Sequence, residues 1–141
     1  MNKLLFIVNI DKFFVSHRLP IALEAIRQGY EVHVATKITD QLSLLESSGI
    51  IVHPLNLHRS GVVSIASEFF EILLLMYKIS PKVVHLVTIK PVIFGGIAAR
   101  ILRLPAVVSA ISGLGFVFIS NGFVAKIRKK IVLYLYRISL N

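Results

Sequence analysis

The sequence contains no cysteine and no tryptophan among its 141 residues. Without cysteine the protein forms no disulfide, has no thiolate nucleophile and cannot hold a cysteine-ligated zinc ion. Charged residues make up only 16% of the chain, whereas hydrophobic residues make up 55%. This balance excludes a disordered or linker-like chain, and the length is that of one domain, residues 1–141, with a sizeable core.

Apolar stretches of membrane-spanning length are also missing. A spanning helix needs about 20 mostly apolar residues. Glu68 and Glu71 interrupt one long apolar run, and Arg100, Arg103 and Pro105 interrupt another. The N-terminal segment has a short apolar run but no small-residue cleavage site. We therefore predict no transmembrane segment and no secretory signal, and we expect a cytoplasmic protein.

Acidic residues are absent from the second half of the chain. All seven of them precede residue 72, whereas ten lysines and arginines follow it, and the net charge is +9. A basic half of this kind predicts an anionic neighbour. On charge alone that neighbour is nucleic acid, a phosphorylated substrate, anionic lipid or an acidic protein surface.

Apolar runs and helical patterns alternate along the chain at short intervals. Predicted strands cover Lys3 to Val8, Glu31 to Ala35, Ile50 to His53, Lys82 to Val87 and Ala106 to Ala110. Predicted helices cover Ser16 to Gly29, Thr39 to Ser48, Val62 to Ile79, Pro91 to Leu102 and Phe123 to Leu140. In the helix from Pro91, Gly95 and Gly96 allow close backbone approach. This alternation predicts an α/β fold, a Rossmann-like doubly wound parallel sheet in the order 3-2-1-4-5.

Ligands of doubly wound sheets bind beyond the carboxyl ends of the strands, where the strand order reverses. In the predicted order that point lies between strands 1 and 4, so we expect two polar loops, Asn9 to Arg18 and Thr88 to Pro91, to face one cleft. The polar residues that follow these two strands are Asn9, Asp11, Lys12, Ser16, His17, Arg18, Thr88 and Lys90. Arg18 and Lys90 are candidates to pair with a phosphate, and we expect His17 and Lys90 to open on one cleft. The alternative is that Arg18 is a solvated first-turn residue and His17 a neighbour of the helix cap.

Patterns typical of metal and dinucleotide sites are lacking. His33, His53 and His85 fall in or beside strands without H-x-x-x-H spacing, and we expect no carboxylate beside them, so we predict structural roles and no metal site. No glycine occurs in residues 9–16, which argues against a G-x-G-x-x-G dinucleotide site. Residues 113–115 suit a phosphate loop or a tight turn equally. We predict no cofactor.

The last predicted helix has a basic side and an apolar side. Its basic residues are Lys126, Lys129, Lys130 and Arg137, and its apolar residues are Val124, Ile127, Ile131, Tyr134 and Ile138. This pattern is typical of helices that lie on anionic membranes, but a surface helix packed on its own sheet would show it too. Nucleic acid is not a predicted partner, because no interleaved aromatics or reading motif accompany the basic residues.

The chain resembles the N-terminal domain of family 4 glycosyltransferases in three segments. These segments are Phe13 to Thr36, His85 to Ile101 and Val107 to Phe118. Those enzymes have the GT-B fold of two Rossmann-like lobes. Their N-terminal lobe holds the acceptor, commonly a polyprenyl-pyrophosphate-linked sugar at the cytoplasmic membrane, and their C-terminal lobe holds the nucleotide sugar. The resemblance implies that the substrate-binding residues are Ser16, His17, Arg18, Thr88, Lys90, Ser112, Gly113 and Gly115.

Two features depart from the family. Many relatives have two glycines after strand 1, where this chain has Asp11-Lys12. They have a histidine at the end of strand 5, where this chain has Ser112-Gly113. We therefore assign no catalytic residue. The E-x7-E motif of the donor lobe is absent, since no glutamate follows Glu71. The resemblance therefore implies the acceptor-binding half of a retaining glycosyltransferase of bacterial surface polysaccharide synthesis, inactive alone. Its partners would be a lipid-linked sugar acceptor, a separately encoded donor-binding lobe and the anionic inner face of the cytoplasmic membrane, where it would be peripheral.

Two other hypotheses stay open at this point. One is a noncatalytic adaptor, which recruits a separately encoded donor lobe to the membrane through its last helix. The other is an unrelated flavodoxin-like or nucleotide-binding regulatory module. The missing phosphate fingerprint disfavours the regulatory module.

Overall fold

The fold contains five strands and six helices in the residues that a computed structural model describes, which are 1–55, 57, 61–112 and 122–140. The strands are β1 (Asn2–Ile10), β2 (Tyr30–Lys37), β3 (Ile51–Pro54), β4 (Val83–Val87) and β5 (Ala106–Ala110). The helices are α1 (Asp11–His17), α2 (Leu19–Arg27), α3 (Leu42–Ser47), α4 (Val62–Ile79), α5 (Ile89–Ile101) and α6 (Phe123–Leu140).

All five strands are parallel and follow the order β3-β2-β1-β4-β5, which confirms the predicted sheet. The central strand β1 pairs with β2 on one side and with β4 on the other, so that Leu4 lies opposite both Val32 and Val83. The chain runs outward from β1 to β2 and β3, and outward in the other direction from β4 to β5. The strand order therefore reverses between β1 and β4, where a crevice is expected.

Two apolar cores lie on the two faces of the sheet. One core contains Phe6 and Phe14 and lies under α1, α2 and α3, and the other contains Leu5, Ile72 and Met76 and lies under α4, α5 and α6. Neighbouring residues of a strand point to opposite faces. Leu5 and Phe6 are nevertheless both fully buried, because helices cover both faces, as in other parallel sheets.

The segment after β1 is helical, and our prediction of a polar loop there was wrong. Phe14 of α1 is fully buried, and its ring meets the edge of the Phe6 ring at a centroid distance of 5.2 Å. That packing stabilises a seven-residue helix, which would be marginal alone. Ser16 consequently lies inside α1, where its hydroxyl donates to the Phe13 carbonyl oxygen at 3.1 Å and caps no helix.

The last helix, α6, contacts the fold through a different side from the apolar side that we predicted. Its buried residues are Tyr136 and Ser139, whereas Ile131 and Tyr134 are 53% and 65% exposed. The alternative in which the predicted apolar side packs on the sheet is therefore wrong. The reason lies in α5, where a Cβ on Gly96 would be 2.7 Å from the Ser139 Cβ. The missing side chain lets α5 and α6 approach closely, which confirms the predicted role of this glycine.

Candidate functional site

The carboxyl ends of β1 and β4 lie side by side, because these strands stay paired up to Ile7 and Leu86. The helices α1 and α5 begin directly after these two strands. They cover opposite faces of the sheet, since Phe14 of α1 and Ile93 of α5 belong to different cores. The crevice at the reversal of strand order is thus bordered by the residues that follow β1, β4 and β5.

Asp11 fixes the end of β1 from inside the protein. It is fully buried, and its carboxylate accepts four hydrogen bonds, from the Thr39 N–H (2.7 Å) and hydroxyl (2.6 Å) and from the N–H groups of Lys12 (2.8 Å) and Gln41 (3.1 Å). Burial raises the pKa of Asp11, but the hydrogen bonds from Thr39, Gln41 and Lys12 together outweigh burial and lower the pKa below its ordinary value. Asp11 therefore ties α1 to the segment that follows β2.

Ser16 and His17 lie together at the exposed end of α1. The Nδ1 atom of His17 is 2.6 Å from the Ser16 hydroxyl and 3.3 Å from the Phe13 carbonyl oxygen. The imidazole also stacks on the Phe13 ring at a centroid distance of 4.3 Å. These contacts hold the imidazole against α1, on the side of the sheet that this helix covers.

Arg18 joins α1 to α2 and lies near His85 of β4. Its Nη1 atom donates to the His17 carbonyl oxygen at 3.0 Å. The Nε atom of Arg18 and the Nε2 atom of His85 are both buried, and neither has a hydrogen-bond partner in the described part of the chain. Burial lowers the pKa of His85, and the positive charge of Arg18 lowers this pKa further. The charge of the Arg18 guanidinium thus acts on an imidazole that favours its neutral form.

Thr88 occupies a strained backbone position between β4 and α5. Its φ of 74° and ψ of 171° lie in a region that is almost restricted to glycine. Its N–H donates to the Ala110 carbonyl oxygen at 3.2 Å, and its own carbonyl accepts the Val92 N–H at 3.1 Å. Both neighbouring elements therefore hold the strained conformation, as is common at functional edges of folds.

Lys90 turns to the side of the sheet that α4 covers. Its Nζ atom donates to the Leu57 carbonyl oxygen at 2.6 Å and lies 3.1 Å from a carboxylate oxygen of Glu68. The Glu68 side chain is fully buried and requires a partner, which Lys90 supplies. His17 stacks on Phe13, on the opposite side of the sheet, and no hydrogen bond joins it to Lys90 in the described residues. Our expectation that His17 and Lys90 open on one cleft was therefore wrong, because α1 and α5 cover opposite faces of the sheet. A phosphate partner for Lys90 stays a prediction.

The segment after β5 is described only in part. Ser112 follows this strand, and its hydroxyl oxygen is buried without a hydrogen-bond partner among the described residues. The hydroxyl oxygen of Ser109, within β5, is in the same state. Gly113 and Gly115, which we predicted to bind substrate, lie outside the described residues.

A second polar cluster lies on β2 and β3. The Nε2 atom of His33 is 2.8 Å from a carboxylate oxygen of Glu31, and its Nδ1 atom is 2.9 Å from the Nε2 atom of His53. Our expectation that no carboxylate lies beside these histidines was wrong. Residues 31 and 33 share one face of β2, so strand periodicity could have revealed the pair. Over the described ranges, no group of three or more side chains could hold a metal ion.

The exposed side of α6 carries both cations and apolar groups. The four predicted membrane-contact residues are all exposed, namely Lys126, Lys129, Lys130 and Arg137. The three lysines line an open groove of about 350 Å³ together with Phe123, Ile127 and Leu133. In the part of the chain that the structure describes, no helix has both the length and the apolar character needed to cross a membrane.

The fold is shared with solved structures of larger proteins. MurG from Acinetobacter baumannii is 18% identical, with a TM-score of 0.63 over 93% of this chain and 39% of that chain. The UDP-GlcNAc 2-epimerase from Methanocaldococcus jannaschii is 15% identical, with a TM-score of 0.59 over 97% of this chain and 40% of that one. The glycosyltransferase SsfS6 from Streptomyces sp. SF2575 is 16% identical, with a TM-score of 0.57 over 94% and 44%. The likeness shows the fold, and this chain spans less than half the length of each protein.

The sequence itself matches a family of enzymes. No curated protein matches it significantly. However, the family model described as "Glycosyl transferase 4-like" matches residues 3–141. This range contains almost the entire sheet and all six helices. The chain therefore belongs to the glycosyl transferase 4-like family and has the fold of the N-terminal domain of a GT-B glycosyltransferase.

Proposed function

We propose that this chain is the acceptor-binding half of a retaining glycosyltransferase. The reaction would transfer a sugar from a nucleotide donor to a lipid-linked acceptor in bacterial surface polysaccharide synthesis. The observation that carries the proposal is the family match over residues 3–141, on a domain that spans only 39% of MurG. A second lobe would supply the nucleotide sugar.

The acceptor would bind at the carboxyl edge of the sheet, beside β1, β4 and β5. Ser16, His17 and Arg18 would form its α1 side, and Thr88 would begin its α5 side. Ser112, Gly113 and Gly115 would border it from the segment after β5. Lys90 is the weakest member of this set, because Glu68 already neutralises its charge.

The 141 residues alone would transfer no sugar. Donor and acceptor must be held in line between two lobes, and such positioning supplies much of the acceleration in enzymes. The test combines binding and turnover, with a detergent-solubilised polyprenyl-pyrophosphate sugar as acceptor and nucleotide sugars as donors. We expect saturable binding of the acceptor by the purified chain and no transfer from any donor. Absence of acceptor binding, or transfer by the chain alone, would contradict the proposal.

The same proposal places α6 on the anionic inner face of the cytoplasmic membrane. The basic residues of α6 are exposed, and so are its apolar residues Ile127, Ile131 and Tyr134. Each lysine or arginine near an anionic surface contributes about 1 kcal/mol, and burial of apolar side chains at the headgroups adds to this. Attachment should therefore depend on acidic lipid and weaken as salt is added.

Vesicle sedimentation tests this attachment with two variants of equal net charge. One variant replaces Lys126, Lys129, Lys130 and Arg137 by glutamine, and we expect it to lose at least tenfold in affinity for anionic vesicles. The control variant replaces four exposed cations elsewhere, Lys12, Arg27, Lys37 and Lys82, and should keep its affinity. Equal loss in both variants would refute contact through the basic residues of α6. Equal binding to neutral and anionic vesicles would refute the electrostatic part and leave exposed apolar surface as the cause of attachment.

A further inference from the structure

The helix α4 is apolar on the side that points away from the core. Its buried residues are Glu68, Ile72, Met76 and Ile79. At 3.6 residues per turn, the opposite side of the helix carries Val63, Phe70, Leu74 and Tyr77. These four side chains are all more than half exposed. A helix that is apolar on all sides is normally buried on all sides, so this second face indicates contact with another surface.

Two open grooves run along this exposed face. One groove, of about 350 Å³, is lined by Phe70, Leu73, Leu74, Tyr77 and Leu102. The other groove, of about 230 Å³, is lined by Pro54, Leu55, Glu71, Leu74, Leu75 and Lys78. Leu74 belongs to both grooves and therefore forms the ridge between them. A ridge with a groove on each side is the shape onto which a second helix packs.

The charged residues on one flank of this face make it complementary to itself. Glu71 and Lys78 line the same groove and are seven residues, or about two helical turns, apart. In an antiparallel pair of helices related by a two-fold axis, the same flank of each helix meets with its direction reversed. With the axis near Leu74, Glu71 of each copy lies opposite Lys78 of the other, and Phe70 lies opposite Tyr77. An interface between two identical copies requires this self-complementarity.

We infer that α4 is the contact surface of a homodimer, in which two copies of this chain pair their α4 helices antiparallel about Leu74. The opposite charges of Glu71 and Lys78 favour a second copy over an anionic membrane, which attracts an excess of cations. Such an excess lies on α6, and α5 separates that helix from α4, because α5 packs against both. The homodimer therefore does not depend on the proposed glycosyltransferase role or on membrane attachment.

Sedimentation equilibrium of the purified chain in lipid-free buffer tests the homodimer. We expect twice the mass of one chain, with dissociation on dilution. Leu74→Asp should raise the dissociation constant of the dimer about tenfold or more, because it places two carboxylates together in an apolar interface.

Leu44→Asp is the matched control for this variant. Leu44 is 42% exposed, compared with 52% for Leu74, and it belongs to α3 on the other face of the sheet. This substitution should change the dissociation constant less than about twofold. Circular dichroism should show the same helix content in wild type and both variants, which separates a lost contact from a lost fold.

An exchange of charges tests the antiparallel pairing. Glu71→Lys alone and Lys78→Glu alone place like charges opposite each other, so each variant should dimerise about fivefold more weakly than wild type. In an equimolar mixture of the two variants, every acid of one copy meets a base of the other. The mixture should therefore form heterodimers and recover the wild-type affinity, which a merely structural effect of either substitution would not allow.

Three results would overturn the homodimer. They are a wild-type chain that stays monomeric at every concentration, undiminished dimerisation of Leu74→Asp, and failure of the charge variants to recover when they are mixed. Vesicles of neutral lipid identify the competing occupant. If the wild-type chain is monomeric and binds these vesicles more tightly than Leu74→Asp does, a membrane covers the face and the homodimer is wrong.

Discussion

Replacement of Asp11 by asparagine tests the buried anchor that fixes the end of β1. One carboxylate oxygen accepts the Lys12 N–H and the Thr39 hydroxyl, and the other accepts the N–H groups of Thr39 and Gln41. Asparagine has only one side-chain oxygen. An NH2 group at one position faces the Thr39 and Gln41 N–H groups; at the other it faces the Lys12 N–H and a Thr39 hydroxyl that can turn to accept. One or two hydrogen bonds are therefore lost together with the charge.

The magnitude follows from the burial of Asp11. Hydrogen bonds to a charged group contribute about 1.5–3 kcal/mol each. One or two of them are lost at a fully buried position, where water does not readily replace the missing acceptor. We therefore expect Asp11→Asn to lower the free energy of unfolding by about 2–5 kcal/mol, a large part of the roughly 5–15 kcal/mol typical of a domain.

The assay is urea unfolding at pH 7, followed by circular dichroism, with Asp40→Asn as the matched control. Asp40 lies 3.2 Å from the Lys12 ammonium, but its side chain is 60% exposed, and exposed ion pairs contribute little. Asp11→Asn should therefore be far more destabilising than Asp40→Asn. A loss in Asp11→Asn that is no larger than in the control would refute the reasoning.

The pH dependence of the same variant checks the electrostatic part. The pKa of Asp11 is lowered in the folded protein from an ordinary value of 3.8. Its contribution to stability is therefore fully present above that value and is lost as the pH falls through the folded-state pKa. The difference between wild type and Asp11→Asn should be constant from pH 7 to about pH 5 and shrink below 3.8. A difference that grows in acid would contradict this.

Three further predictions concern other positions. Gly96→Ala should lower the melting temperature, because overpacking against the Ser139 Cβ at 2.7 Å costs about 1–3 kcal/mol. This cost exceeds the gain in helix propensity that alanine brings. An unchanged melting temperature would show that α6 moves away without cost. Thr88→Gly should be more stable to urea than Thr88→Ala by about 1 kcal/mol, because only glycine relieves the strain at φ 74°; the reverse order would mean that no strain is stored there. Burial lowers the pKa of His85 from its ordinary value of 6.5, and the Arg18 charge lowers this pKa further. The free energy of unfolding should therefore fall as the pH drops below about 6.5, and His85→Phe should flatten that fall. An equally steep profile in the variant would assign the effect to other groups.

Much of the fold follows from local patterns in the sequence. The predicted bounds of α4, β5 and α6 agree with the structure residue by residue. The end of α4, for example, falls at Ser80-Pro81, because proline disfavours a helical conformation in the residue before it. The helix α1 was missed because its stability depends on the burial of Phe14 against Phe6 of β1, which no short window of sequence reveals.

The candidate site could be located from the sequence, but its contacts could not. The strand order alone brings the residues after β1 and β4 to one edge, which is why Ser16, His17 and Arg18 could be proposed as site residues. The effect of the Arg18 charge on the pKa of His85 was missed, because His85 lies in the middle of a strand and looks like any buried histidine. Its unpaired nitrogen becomes visible only when all neighbouring atoms are placed.

The sequence by itself determined the α/β class, because hydrophobic periodicity is a local property. The connection rules of doubly wound folds then predicted the sheet order and the edge at which a ligand would bind. Only the tertiary structure decided which polar groups are partners. Lys90 pairs with Glu68, 22 residues away, and Asp11 binds Thr39, 28 residues away. It also decided that Tyr136 and Ser139 of α6 face the core, since a helix with several apolar stripes buries the one that fits its neighbour's surface, here the gap left by Gly96.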